Sequence, residues 1–160
     1  MVSLVDKNKE WAMAIGRAFV AFGGIEHATV ECLRTIPRDR IQKSTQMFRL
    51  AQRVDLLLEI LESREGDEFV QLALCLRRVK ELARMRNIVA HNPLVLDFSI
   101  PDYSRGMAFT EAIAVTHKQR LLISLEGVQR FAEDSEKLAS EIHGASAKVF
   151  AILRGQRSTS

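Results

Sequence analysis

One short stretch of the chain holds residue types that can bind phosphate and move protons: "RMRNIVAHNPL", Arg84 to Leu94. It ends a helical pattern whose apolar stripe is Phe69, Leu72, Leu76, Val79 and Ala83. At ~3.6 residues per turn that stripe continues to Arg86 and then Ala90, which aims an arginine at the bundle or at a partner. A guanidinium taken out of water needs an anion or a full set of acceptors. A second row lies about 100° around the same helix: Arg77, Lys80, Arg84, Asn87 and His91. Its lower, basic part suits phosphates, and its upper end delivers a histidine to the helix terminus that Pro93 enforces. An imidazole placed there can accept and donate a proton near neutral pH. Plainer roles fit the same residues. Arg86 can be half of a structural ion pair, and His91 can simply favour the helix dipole.

Glu26 falls beside the apolar stripe of the first helical segment, between Phe22 and Thr29. It is the expected partner of Arg86, either as a salt bridge or as the group that sets the arginine's orientation. His27 and Glu31, four apart, have the spacing of two metal ligands, but a site needs a second pair and the sequence offers none. The di-iron carboxylate pattern Glu-x-x-His is absent. Cys32 and Cys75 match no metal or redox spacing and read as buried free thiols. "AFGGIE" lies within a helical pattern, so its glycines are expected to permit close helix approach rather than to cradle phosphate. There is no nucleophile elbow, and the few aromatics do not interleave with basic residues as a base-stacking platform would require. No cofactor and no metal is implied.

Four helical segments must position these residues. The first runs from about 9 to 36, with Trp11, Ile15, Phe19, Phe22, Ile25, Thr29, Leu33 and Ile36 on one seam, and "TIPRDR" ends it. The second covers about 44 to 62, with Met47, Leu50, Val54, Leu57 and Leu61, and "SREGDE" turns the chain. The third spans about 67 to 90. The last is expected from "THKQ" at Thr116, which fits a capping box, to about Arg154, along a seam that includes Leu121, Leu125, Val128 and Ala132. So long a helix could break near Gly144. Between the third and last segments the period changes, and "LVLDFSI" and "MAFTEAIAVT" read as two strands around "PDYSRG". The fold class is all-α, an up-and-down helical bundle with a short β-hairpin before the last long helix. A single domain is expected over residues 1–154, followed by a disordered tail at 155–160.

Composition agrees with that class. In 160 residues there are 8 glycines and 3 prolines, too few for a many-turned β fold. The net charge is only +3 but is unevenly spread: Arg34 to Arg53 holds six basic residues against Asp39, and Arg77 to Arg86 holds five against Glu81. Such asymmetry points to a polyanionic partner, and a solvated helix face produces it as well. Arg17 interrupts "WAMAIGRAFVAFGG", and no apolar run reaches the ~18 residues of a membrane span. A cytoplasmic protein is expected.

"RNIVAH" resembles the arginine, four residues, histidine signature of the HEPN superfamily, including the preferred polar residue directly after the arginine. The resemblance extends over about residues 15 to 145. It takes in the first helix with "FGGIEHATVECL", a second helix followed by an acidic turn, and the signature at the end of the third. It implies a metal-independent endoribonuclease of toxin or RNA-processing type, working as a homodimer in which signature helices of two protomers meet. Arg86 would then stabilise phosphorane charge, His91 would act as general base or acid, and Asn87 would orient the imidazole or a phosphate oxygen. Products would end in 2′,3′-cyclic phosphate. Many members look non-catalytic, which leaves two alternatives: a helical module that binds a protein partner such as a nucleotidyltransferase-like antitoxin, or a regulator that binds nucleic acid without cleaving it.

Overall fold

A computed structural model of the chain describes residues 4–37, 41, 45, 47–97, 110–115 and 121–157. Helix α1 spans Leu4–Thr35, α2 Leu50–Glu62, α3 Asp67–His91 and α4 Leu125–Arg157. Strands β1 (Leu94–Asp97), β2 (Thr110–Ala114) and β3 (Leu122–Ile123) lie between α3 and α4. They form one antiparallel sheet in the order β1-β2-β3, with Leu94 opposite Ile113 and Ile113 opposite Ile123. The fold is thus a helical bundle carrying a small sheet.

The helices form because apolar residues recur at helical spacing and meet in one core. Ile25, Leu57, Leu72, Leu76, Leu138, Ile142 and Val149 are fully buried. Each such side chain contributes about 1.5–3 kcal/mol relative to exposure. Helix α4 packs most extensively on α1 and then on α3, and α3 packs on α2. Gly66, at φ 124°, makes the tight turn that reverses α2 into α3; any residue with a Cβ would be strained there. Helix α2 lies beside the C-terminal half of α1. Arg53 Nε donates to Thr29 Oγ1 at 3.2 Å and Arg64 Nη2 to the Ile36 carbonyl at 3.2 Å. Elsewhere on α1, Arg17 forks onto both carboxylate oxygens of Glu136 at 2.8 and 2.7 Å, joining α1 to α4.

Several expected boundaries move. Met47 precedes α2 and is 89% exposed, so it is not part of that helix's buried stripe. Residues 121–124 are not helical: Leu121 is exposed, and Ile123 turns inward to complete the sheet against Ile113. The last helix therefore begins at Leu125, not near Thr116, and "THKQ" falls outside the described residues, as does "PDYSRG". Ser124 Oγ accepts from the Gly127 N–H at 3.3 Å, satisfying one of the donors left open at the helix start. A Cβ at Gly127 would sit 3.1 Å from Ile123 Cγ2, so the strand and the helix meet where only glycine fits easily. Helix α4 passes Gly144 without a break and continues through Arg157, so the first three residues of the expected tail are helical.

Candidate functional site

Helix α3 ends as its sequence dictates. Asn92 leaves helical geometry at φ −120°, ψ 144°, the conformation that a following proline favours, and its Nδ2 donates to the Ile88 carbonyl at 2.9 Å. Asp67 and Glu68 occupy the first turn and His91 the last, both favourable to the helix dipole. His91 is exposed, and among the described residues nothing holds its imidazole.

Arg86 is not buried. Past Val79 the buried stripe drifts to Val89, leaving Ala90 exposed and Arg86 with 34% of its side chain open. The drift follows from the helix's ~3.6-residue period, which a strict three- or four-residue stripe cannot track indefinitely. Three α1 residues receive the guanidinium. Its Cζ lies over the Phe19 ring at 5.6 Å from the centroid and over the Phe22 ring at 6.0 Å. Glu26 Oε1 stands 4.0 Å from Nη2, the expected ion pair at its outer limit. The neighbouring Asn87 accepts from Arg86 Nη1 at 3.2 Å, so its amide oxygen is turned to the arginine rather than to His91. The two phenylalanines are the site residues that sequence reasoning missed. Both read as ordinary seam residues, although their spacing with Glu26, at i, i+3 and i+7, puts all three on one helix face.

Arg86 and His91 themselves do not share a face. Five residues on an α-helix place them ~140° apart in azimuth and ~7.5 Å apart along the axis. One chain therefore presents an arginine and a histidine on adjoining flanks of the same helix end.

The basic row below them is partly engaged within the chain. Arg77 Nη2 lies 3.7 Å from Glu62 Oε1, and Lys80 pairs with Asp55, both across the α2–α3 contact. Among the described residues no carboxylate lies within ion-pair distance of Arg84, which is exposed. Glu31, the would-be partner of His27, pairs instead with Arg34 at 2.8 Å. Among the described residues no three His, Cys, Asp or Glu side chains converge as a metal site requires. Gly23 and Gly24 face open space, so among the described residues no helix makes the close approach expected there. Cys32 is buried, and desolvation, reinforced by Glu31, pushes its thiol up to about 12; Cys75 is only half-buried, and its thiol is also raised by desolvation first. A cleft of about 640 Å³ between α3 and α4 is lined by Asp67, Cys75, Arg78, Glu141 and Lys148, at the end of α3 remote from His91.

Comparison with protein-family models, with curated proteins and with solved structures gives no match. No described helix is long and apolar enough to cross a membrane.

Proposed function

We propose that this chain is a HEPN-like, RNA-acting protein of the cytoplasm, a metal-independent endoribonuclease of toxin or RNA-processing type that works as a homodimer. The observation that carries this reading is the end of α3: an arginine held against α1 yet one-third open, and an unengaged histidine five residues on. The ~140° between them supports a composite site, because a second copy can supply the histidine that one face lacks beside its arginine. In that site His91 takes the 2′-hydroxyl proton as the 2′-oxygen bonds to phosphorus. The bond from phosphorus to the 5′-oxygen breaks, and a histidine returns a proton to the leaving oxygen. Arg86 holds the equatorial oxygens as charge accumulates, and a fork of N–H donors suits that task better than an ammonium. Asn87, which accepts from Arg86 Nη1, helps to orient the guanidinium, and Arg84 stands ready for a flanking phosphate.

The test is incubation of the purified protein with a mixed RNA pool in EDTA. Cleavage with 2′,3′-cyclic phosphate ends is the expected result, with His91→Ala and Arg86→Ala each losing roughly 10²-fold or more and Arg86→Lys failing to rescue. Light scattering should give twice the 18.1 kDa chain mass. Well-folded wild type that cleaves no RNA, or that stays a monomer at micromolar concentration, refutes the reading.

A second reading draws on the pairing of Arg77 and Lys80 with α2 acids, which reduces the charge offered to RNA. It makes the chain a non-catalytic helical module for a protein partner, such as a nucleotidyltransferase-like antitoxin. Leu94 and Leu96, 42% and 46% exposed just beyond His91, would give such a partner an apolar foothold. Absence of cleavage together with absence of RNA binding favours it.

A further inference from the structure

The guanidinium of Arg86 has five N–H donors, yet among the described residues only Asn87 accepts one of them, and the Glu26 carboxylate at 4.0 Å is beyond hydrogen-bond reach. An arginine one-third exposed and so sparsely bonded would ordinarily sample several rotamers. Beside that loose ion pair, what holds it is the pair of phenylalanine rings on α1, under its charge centre at 5.6 and 6.0 Å. A cation over a ring is attracted by the π quadrupole, and that contact spends no N–H on a protein acceptor. Carboxylates could fix the group as firmly, but they would occupy the donors that a phosphate needs and would neutralise the charge. The rings do neither.

The two phenylalanines differ in their own surroundings. Phe22 is 2% exposed and belongs to the core, so the bundle fixes its position. Phe19 is half-buried at the helix edge, one turn earlier, and its ring is the nearer to the guanidinium. An aliphatic residue there would cover the core edge equally well. We infer that Phe19 is a positioning residue for Arg86: its ring holds the guanidinium by its charge while leaving the N–H donors free for a phosphate. This rests on the nuclease reading above for its consequence in catalysis, and on the geometry alone for the contact.

Two measurements on the full-length protein separate the inference from that reading. The first is NMR of the arginine side-chain Nε–Hε groups, with Arg86 assigned by its loss in Arg86→Lys. The Arg86 signal should be ring-current shifted in wild type and in Phe19→Tyr, and should move most of the way towards the ordinary arginine position in Phe19→Leu, where only the more distant Phe22 ring remains. The second is steady-state RNA cleavage in EDTA. Phe19→Leu should lower kcat by roughly 5- to 20-fold with KM changed less than about 2-fold, and Phe19→Tyr should retain most of the activity. Thermal melts of the three proteins control for folding. An unshifted Arg86 signal in wild type, or a Phe19→Leu enzyme with unchanged kcat, overturns the inference while leaving the nuclease reading intact. A shifted signal that Phe19→Leu largely removes, in a wild type that cleaves no RNA, overturns the catalytic role and the nuclease reading together, and the contact then stands as a structural one.

Discussion

Removing the two acids that face the basic row of α3 should strengthen RNA binding and steepen its dependence on salt. In wild type Arg77 leans on Glu62 and Lys80 on Asp55, so a phosphate arriving at either cation must first displace a carboxylate. The pairs are exposed, with side-chain accessibilities of 58% and 67% for the first and 42% and 59% for the second, so each is worth about 0–1 kcal/mol. Displacing both costs at most about 2 kcal/mol, equivalent to about 30-fold in affinity, and a gain of roughly 3- to 10-fold is expected for Asp55→Asn combined with Glu62→Gln. The salt slope is the sharper readout. A cation already neutralised by a carboxylate releases no condensed counterion from RNA, whereas each freed cation adds about 0.7 to the log–log slope for a single strand. The double variant should therefore steepen the slope by about 1.4, and Arg84→Ala in the wild-type background should flatten it by about 0.7. Fluorescence anisotropy of a labelled single-stranded RNA, titrated between about 50 and 300 mM KCl, measures both quantities. If the double variant leaves affinity and slope unchanged, and Arg84→Ala does too, phosphates do not meet this face and the row is a solvated surface.

Leu76, fully buried in the core, should cost about 2–5 kcal/mol when cut to alanine, lowering Tm by roughly 5–15 °C; a shift under about 2 °C would mean that the core is not assembled as described. Trp11→Phe removes the indole donor that Glu111 accepts at 3.0 Å, the tie between α1 and the sheet, and should cost about 1–2 kcal/mol in chemical denaturation followed by circular dichroism. At pH about 8 a thiol reagent should modify Cys75 in the native protein but reach Cys32 only on unfolding, because burial holds the Cys32 thiol near 12 and the thiolate is the reactive form. Equal rates for the two cysteines in native protein would contradict the burial of Cys32.

What the sequence by itself determined is the set of helices, where α3 stops, and which charged groups have to meet. Those follow from local and periodic physics. Apolar residues at a 3.6-residue period must share a face, a residue before proline is disfavoured from staying helical, and an arginine read at the end of an apolar stripe needs an acid such as Glu26 to approach it. The strand period between α3 and α4 was equally legible. The third strand was not, because two residues carry no period. Leu122 and Ile123 leave the helix pattern only because Ile113 is there to pair with and Gly127 allows α4 to start close behind. The surroundings of the candidate site were likewise decided by packing. Phe19 and Phe22 read as seam residues until α1 and α3 meet at an angle that sets the Arg86 guanidinium over their rings. The basic row read as uniformly available until α2 brought Asp55 and Glu62 against Lys80 and Arg77. The reason is the same in each case. A residue's own helix determines the direction in which it points, whereas the group it meets there depends on the crossing of a second helix, to which no spacing within one segment refers.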